Sequence, residues 1–241
     1  MNEKDLSILR RELQDAGMSP SDRQIGQFST YYDLLIEWNE KINLTAITEP
    51  REVIRKHFLD SLLLCGIPGA PVAGRAADVG TGAGFPGIPL AVMCPELETV
   101  LIDSLGKRVT FLEECIAEMG LKNVTAVKAR AEEIGKDPVY RETFDVVLSR
   151  AVAALPVLCE YCVPLVKPGG YFAAYKSQKA QEEADLARNA IQILGGELEA
   201  AEKRTLGGSG EERTILIIRK KMNTPPAYPR KAGIPAKRPL R

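Results

Sequence analysis

Asp78-Val79-Gly80-Thr81-Gly82-Ala83-Gly84-Phe85-Pro86-Gly87 is the stretch on which the reading of this chain turns. A short apolar run, 76–79, precedes it, and a helix-like run, 88–93, follows. The order is strand, glycine turn, helix. Glycine has no Cβ, so the backbone turns sharply there and lies close against a ligand. The spacing is Gly-x-Gly-x-Gly, with an acid two positions ahead of the first glycine. Dinucleotide folds prefer Gly-x-Gly-x-x-Gly, where a helix N-terminus meets a pyrophosphate. An acid at the strand end suits a cation better, and S-adenosylmethionine carries a positive amino group and a positive sulfonium.

Beyond the turn, apolar or β-branched runs recur at 99–102, 124–127, 144–148 and 171–174. Helix-period stretches separate them at 88–93, 107–119 and 155–166, the last before Lys167-Pro168-Gly169-Gly170, and a further helix is expected over 178–194. Two last strands, 198–204 and 214–218, flank Gly207-Gly208-Ser209-Gly210, which reads as a hairpin connection. Strands joined by crossover helices predict a doubly wound parallel sheet, here ending in an antiparallel pair.

Ahead of the turn, residues 5–65 read as helical. Leu6, Leu9 and Leu13 form one stripe. After a Ser21-Asp22 N-cap, Ile25, Phe28, Tyr32, Leu35 and Ile36 form a second. Thr48-Glu49-Pro50 opens a third helix to about Cys65, and the Pro/Gly-rich stretch 66–74 reads as a linker. The expected organisation is a helical extension over 1–74, a Rossmann-like core over 75–221 and a basic, proline-rich tail over 222–241.

The formal net charge is zero, but its distribution is uneven. Eight of the 32 Lys and Arg residues lie between Arg219 and Arg241 with no acid among them, leaving 24 basic against 32 acidic residues before that point. Such asymmetry reads as an acidic globule with a cationic tail suited to nucleic acid. The five cysteines are an odd count scattered through apolar segments, and no secretory leader is apparent. Reduced thiols and a cytoplasmic setting are expected. Cys159-x-x-Cys162 has a metal-like spacing but no second pair, so both read as core residues and no metal is expected. Glycines and prolines break the apolar run after Leu62, so no membrane span is expected.

In a doubly wound sheet, ligands bind beyond the carboxyl ends of the strands. The first end is the turn bearing Gly80 and Gly82. The second is Asp103, whose carboxylate can accept ribose hydroxyls. The third is 128–132, where backbone and Glu132 could read an adenine edge. The fourth is Ser149-Arg150-Ala151. This last end carries neither the Asn/Asp-Pro-Pro-aromatic pattern of exocyclic-amine methylation nor a cysteine nucleophile for base carbon. The acceptor should then be nucleophilic already, as guanine N7 is. Arg150 is the candidate for orienting cofactor or guanine, through O6 and N7 acceptors. His57, the only histidine, shares a helix face with Asp60 and Ser61; a packing cluster and a weaker catalytic role both remain open.

These motifs resemble the glucose-inhibited division protein B family, also called RsmG, the small-subunit rRNA guanine-N7 methyltransferases. The resemblance runs through Trp38-Asn39, Asn43-Leu44-Thr45-Ala46-Ile47, His57-Phe58-Leu59-Asp60-Ser61, the glycine turn, Asp103-Ser104 with Lys107-Arg108, and Arg130-Ala131-Glu132. It continues through Ser149-Arg150-Ala151-Val152-Ala153, Lys167-Pro168-Gly169-Gly170, the tail from Tyr228 to Pro235, and Lys237-Arg238-Pro239-Leu240. Ala174-Tyr175-Lys176-Ser177 departs from the small-residue pattern of the family, leaving Lys176 without a role.

The resemblance implies a class I S-adenosylmethionine-dependent methyltransferase with a seven-stranded, mostly parallel sheet. It implies S-adenosylmethionine contacts at Gly80, Phe85, Ala131, Glu132 and Arg150. The implied acceptor is a guanine in the decoding region of 16S rRNA or the small ribosomal subunit, with no stable protein partner. Arg230, Lys231, Lys237 and Arg238 are then the expected RNA contacts, with Tyr228 stacking on a base and five prolines keeping the tail extended along RNA. Two other readings stand beside it. A nicotinamide-dependent oxidoreductase predicts Gly-x-Gly-x-x-Gly and a second domain. A non-enzymatic RNA-binding module predicts a nucleoside pocket kept only for structure.

Overall fold

The computed structural model describes residues 1–70, 73–177, 179–207 and 210–240. Two helices open the chain. Helix α1 (Glu3–Asp15) is capped by Asn2, whose side chain accepts from the Asp5 amide, and buries Leu9 and Leu13. Helix α2 (Asp22–Ile42) starts at a reciprocal capping box between Ser21 and Gln24 and stops at Asn43, which adopts a left-handed φ of 48°. Its buried stripe is Ile25, Phe28, Tyr31 and Leu35. Tyr31, not the expected Tyr32, takes the inner position, because it lies three residues after Phe28 and four before Leu35. Tyr32 sits on the flank and donates to the Thr48 carbonyl at 3.0 Å.

The third helical run is not regular. It begins as α3 (Pro50–Val53), passes through a π turn (Ile54–Leu59) into α4 (Asp60–Leu62), and tightens into a 3-10 turn (Leu63–Gly66). In the π turn the Asp60 amide reaches back five residues to the Arg55 carbonyl and bypasses that of Lys56.

Seven strands follow: β1 (Ala73–Val79), β2 (Glu96–Asp103), β3 (Val124–Lys128), β4 (Phe144–Arg150), β5 (Val166–Lys176), β6 (Gly196–Thr205) and β7 (Glu212–Lys220). They form one sheet in the order β3-β2-β1-β4-β5-β7-β6, with β7 antiparallel to both neighbours and the first five strands parallel. The sheet is therefore the expected Rossmann-like, class I methyltransferase sheet.

Three boundaries differ from expectation. β1 takes Ala73 and Gly74 out of the expected linker, since Gly74 tolerates a φ of +97° and Asp145 accepts from the Arg75 amide. β5 begins at Val166, so Lys167 to Gly170 bulge out between the pairings Phe144↔Val166 and Val146↔Tyr171. The hairpin joins β6 to β7, but Gly208 and Ser209 lie outside the described residues, as do Pro71 of the linker, Gln178 of the expected last helix and Arg241.

The crossovers are α5 (Gly87–Met93), α6 (Gly106–Glu118), a single turn α7 (Ala131–Ile134), α8 (Leu155–Cys162) and α9 (Ala180–Ile193). One sheet face shares a core with the N-terminal helices, through Phe28, Tyr31, Phe58, Ile88 and Leu101. The other packs α8 and α9 through Val147, Leu158, Phe172 and Ala187. All five cysteines are free thiols. Cys159 and Cys162 are fully buried on α8, and burial pushes both thiols up. Among the described residues no helix is long and apolar enough to cross a membrane.

The tail is the main correction. It does not run extended. It folds back on the sheet, with Tyr228 and Leu240 packed against the α8–α9 core and a short helix, α10 (Ile234–Lys237). The cause is electrostatic. Glu160 is fully buried on α8, and a buried carboxylate must be paired. Arg230 supplies the pair, with Nη2 to Oε2 at 2.6 Å. Arg219, Lys220 and Lys221 are paired likewise, with Glu199, Glu142 and Glu197. Half of the cations of the C-terminal stretch are thus held in ion pairs, those of Lys220 and Arg230 with a buried member.

Candidate active site

Two cavities open at the carboxyl ends of the parallel strands. The first, of about 560 Å³, is lined by Gly80, Asp103, Ala131, Glu132, Tyr161 and Val152, among others. The second, of about 800 Å³, is lined by Lys56, His57, Asp60, Arg150, Lys176 and Arg213, among others. Ala151 and Val152 line both.

The first cavity is built on the glycine turn. The amides of Gly80 and Thr81 donate to the Ile102 carbonyl, lashing the turn to β2. Gly80 has a φ of +70°, and a Cβ there would meet Val152 Cγ2 at 2.5 Å, so only glycine leaves this backbone bare toward the cavity. Asp103 is buried. Its Oδ2 accepts from the Gly82 amide at 3.0 Å and its Oδ1 from the Leu105 amide at 2.9 Å. Gly82 therefore acts through its amide, which orients Asp103. Glu132 lies at the far end, where its Oε1 accepts from the Gly233 amide at 2.8 Å. That bond turns one carboxylate oxygen toward the tail, a partner the strand-end reading missed.

Beneath the turn, Asp78 is fully buried. Its Oδ2 accepts from Thr81 Oγ1 at 2.7 Å and from the Gly87 amide at 2.8 Å, while Oδ1 has no hydrogen-bond partner among the described residues. Burial outweighs those bonds and pushes the carboxyl up to about 6. These features fit S-adenosylmethionine. Backbone without a Cβ at Gly80 leaves room for a ligand's close approach, and the Asp103 and Glu132 carboxylates on the same cavity suit hydroxyl and amine donors and a positive charge.

The second cavity is a lattice of ion pairs. Asp60 is buried and divides its carboxylate: Oδ2 takes Arg150 Nη1 at 2.5 Å and Oδ1 takes Arg213 Nε at 2.9 Å. Arg150 Nη1 also donates to the Lys56 carbonyl at 3.2 Å, the carbonyl that the Asp60 amide bypasses in the π turn. The Arg150 guanidinium lies 5.1 Å from the Phe85 ring centre, and His57 stacks on the same ring at 4.4 Å. Phe85 is buried under this lattice, against Tyr31 and Phe58, and does not line the first cavity.

His57 Nε2 lies 2.8 Å from Thr45 Oγ1, and Nδ1 lies 3.1 Å from the Lys56 carbonyl. A carbonyl accepts only, so this closer contact assigns the proton to Nδ1, with Nε2 accepting from Thr45, although Arg150 Nη2 also lies 3.4 Å from Nδ1. Burial, reinforced by Arg150, lowers the imidazole to about 4. Lys176 gains a role here: Nζ donates to the Ala153 carbonyl at 3.0 Å and pairs with Glu183 Oε2 at 2.7 Å, an oxygen that also accepts from the Leu155 amide. The pair pins the α8 end of the loop that carries the shared wall. Arg213 and Glu183 had no sequence signal of their own, since they lie on separate segments, β7 and α9.

Arg150, expected at the cofactor, thus stands on the wall of the second cavity with His57. Among the tail cations, Lys231, Lys237 and Arg238 are exposed, while Arg230 is held by Glu160. Among the described residues no cluster of three or more His, Cys, Asp or Glu is arranged to hold a metal ion.

A family model described as "GidB: rRNA small subunit methyltransferase G" matches residues 24–213. "Ribosomal RNA small subunit methyltransferase G" of Desulfitobacterium hafniense (strain Y51) is 56% identical over 221 residues, covering 91% of each chain. The protein of the same description from Alkaliphilus metalliredigens (strain QYMF) is 49% identical over 97% of this chain and 98% of its own. In fold, the chain is similar to a solved SAM-dependent methyltransferase from Aquifex aeolicus, with a TM-score of 0.53 at 20% identity over 70% of this chain and 93% of that one.

Proposed function

The chain belongs to the GidB family, rRNA small subunit methyltransferase G, and from that premise we propose that it methylates N7 of a guanine in the decoding region of 16S rRNA. It is an S-adenosylmethionine-dependent ribosomal RNA methyltransferase of class I fold. The finer reading rests on one observation. Every acid, and every other titratable group on the second cavity that we name, is already engaged: Asp60 by two arginines, Glu183 by Lys176, His57 by Thr45 and the Lys56 carbonyl. Among the described residues, each acid lining that cavity is paired with a cation, which makes it a poor acceptor for a proton. An acceptor that must lose one is poorly served, whereas guanine N7 attacks through a lone pair and loses none.

S-adenosylmethionine, when bound, supplies an electrophilic methyl group on a sulfonium. Gly80, Asp103 and Glu132 hold the donor on one side of the Ala151–Val152 wall. Arg150 and Arg213, kept in place by Asp60, face the acceptor, where a guanidinium on O6 leaves the N7 lone pair exposed. Catalysis is then largely positioning, an effect that supplies about 7–11 kcal/mol when two reactants are held in line. The protein acts in the cytoplasm on small-subunit RNA without a stable protein partner, and Lys231, Lys237 and Arg238 contact its phosphates.

N7 methylation has a distinctive chemical signature. It makes the glycosidic bond labile, so borohydride followed by aniline cleaves the RNA at that nucleotide. Treated small-subunit RNA should show one new cleavage, dependent on this protein and the methyl donor. Methyl incorporation without cleavage would reject N7.

A further inference from the structure

The C-terminal segment reaches the donor cavity itself. Gly233 and Ala236 line it, beside Ala131 and Glu132. The segment is fastened at three points. Arg141 donates Nη1 to the Tyr228 carbonyl at 2.8 Å and Nη2 to the Thr224 carbonyl at 2.7 Å. Glu160 Oε1 accepts from both the backbone amide of Arg230, at 2.7 Å, and its Nε, at 2.9 Å, while Oε2 takes Nη2 at 2.6 Å. The same Nη2 donates to the Arg238 carbonyl at 2.8 Å, closing the segment on itself. The third point is the Gly233 amide on Glu132. Contact is close throughout: a Cβ on Gly135 of the α7 turn would meet Pro229 Cγ at 2.9 Å.

A segment that only trailed over RNA would have no use for a fully buried carboxylate. Glu160 is that carboxylate, and burying it is unfavourable unless its partner arrives with several hydrogen bonds. Glu160 and Tyr161 are successive on α8. Tyr161 lines the donor cavity with Glu132, the residue that receives Gly233. The latch and the cavity wall are therefore one structure.

We propose that residues 228–238 are a strap that completes the methyl-donor cavity, with Arg230 as the positioning residue that latches it to Glu160, and with Gly233 and Ala236 as its wall. The inference rests on the first cavity being the donor site. It assigns the segment to donor binding ahead of RNA binding, leaving only Lys231, Lys237 and Arg238 turned outward from it.

The test is calorimetric titration of the full chain with S-adenosylmethionine and, separately, with small-subunit RNA. Arg230→Gln should weaken the donor by roughly tenfold or more, the scale of about one strong contact. Because that variant strands Glu160 and loses some stability, Ala236→Trp is the second: it fills the wall from an exposed position, and should weaken the donor about fivefold or more with an unchanged melting temperature. RNA affinity should stay within about twofold in both. Donor affinities within about twofold of wild type overturn the strap. So does a loss confined to Arg230→Gln, or a loss of RNA affinity in place of donor affinity. Asp103→Ala separates the premise. If it leaves donor binding intact, the cavity assignment fails; if it abolishes binding while the strap variants do not, the strap alone fails.

Discussion

Where the donor cavity presents glycine backbone and carboxylates from three neighbouring strand ends, the acceptor cavity presents side chains that already hold one another. Gly80, Asp103 and Glu132 offer a ligand backbone without a Cβ and acidic oxygens. Lys56, Asp60, Arg150, Lys176 and Arg213 form pairs before any RNA arrives. One side is shaped by what is missing, a Cβ. The other is shaped by charges locked in a preset pattern. A small flexible donor needs a close-fitting cradle, whereas a guanine on a large RNA needs rigid guanidinium directions, and preorganised donors need no rearrangement at the moment of transfer.

The sharpest way to break this contrast is Arg150→Ala. It removes a preset cation while Arg213 keeps Asp60 paired, so single-turnover methylation should fall by roughly 10²–10³, as for loss of one preorganised donor. Stability should fall by only about 1–2 kcal/mol in chemical denaturation, the scale of a charged hydrogen bond. An unchanged methylation rate would remove Arg150 from the mechanism. Next comes Gly80→Ala. Its left-handed backbone costs about 1–2 kcal/mol, so donor affinity should drop roughly five- to thirtyfold by titration. Adding Val152→Ala should restore part of the loss, since Val152 is what the new methyl meets. No recovery in the double variant would mean that the wall is not what separates the two sides.

Lys176→Met should act on both cavities alike. It frees Ala153 from its anchor and leaves Glu183, which holds Leu155, unpaired, and the KM values for donor and RNA should rise together, about tenfold or more for a lost charged hydrogen bond. A rise in one alone would show that the wall is not shared in function.

The smallest effects concern protons. His57 sits at about 4, below its ordinary 6.5, so the unfolded chain takes up the proton first as the pH falls. Its stabilising contribution is complete above pH 6.5 and drains away toward pH 4. Asp78, raised from 3.8 to about 6, works the other way: its contribution is complete below 3.8 and lost as the pH rises through 6. The two slopes oppose each other across nearly the same range, so His57→Gln should remove the loss on acidification below pH 6.5 and Asp78→Asn the loss on raising the pH from 3.8 through 6. Methylation by His57→Gln should keep the wild-type pH profile above pH 7. A shifted profile would give the imidazole a proton-handling role after all.

The unequal legibility of the two cavities has the same origin as their construction. Gly80 and Asp103 announce themselves because a strand end, a glycine turn and a following acid are local in sequence. The alternation of apolar runs likewise gives all seven strands, with ends misplaced by a few residues where Gly74 and the 167–170 bulge override the pattern. Arg213 and Glu183 carry no such mark, because only the sheet order brings β7 and α9 beside β4 and the π turn. The tail was misjudged for a related reason. Its prolines and lysines read as an extended cationic arm, but Glu160, 70 residues earlier, is the group that folds it down. Burial of a distant partner leaves no trace in local composition.

The π turn at Ile54–Leu59 has a consequence for how such a site is lost or gained. A π turn is an α-helix holding one surplus residue. Removing one residue between 54 and 59 would restore regular pitch and leave the flanking segments in phase, because the wide turn already absorbs that residue. The Lys56 carbonyl would accept the amide four residues on, and Arg150 would lose it. A single codon thus separates an ordinary packing helix from one that helps to hold the Arg150 guanidinium, and relatives with a one-residue gap here should lack the Arg150 lattice too.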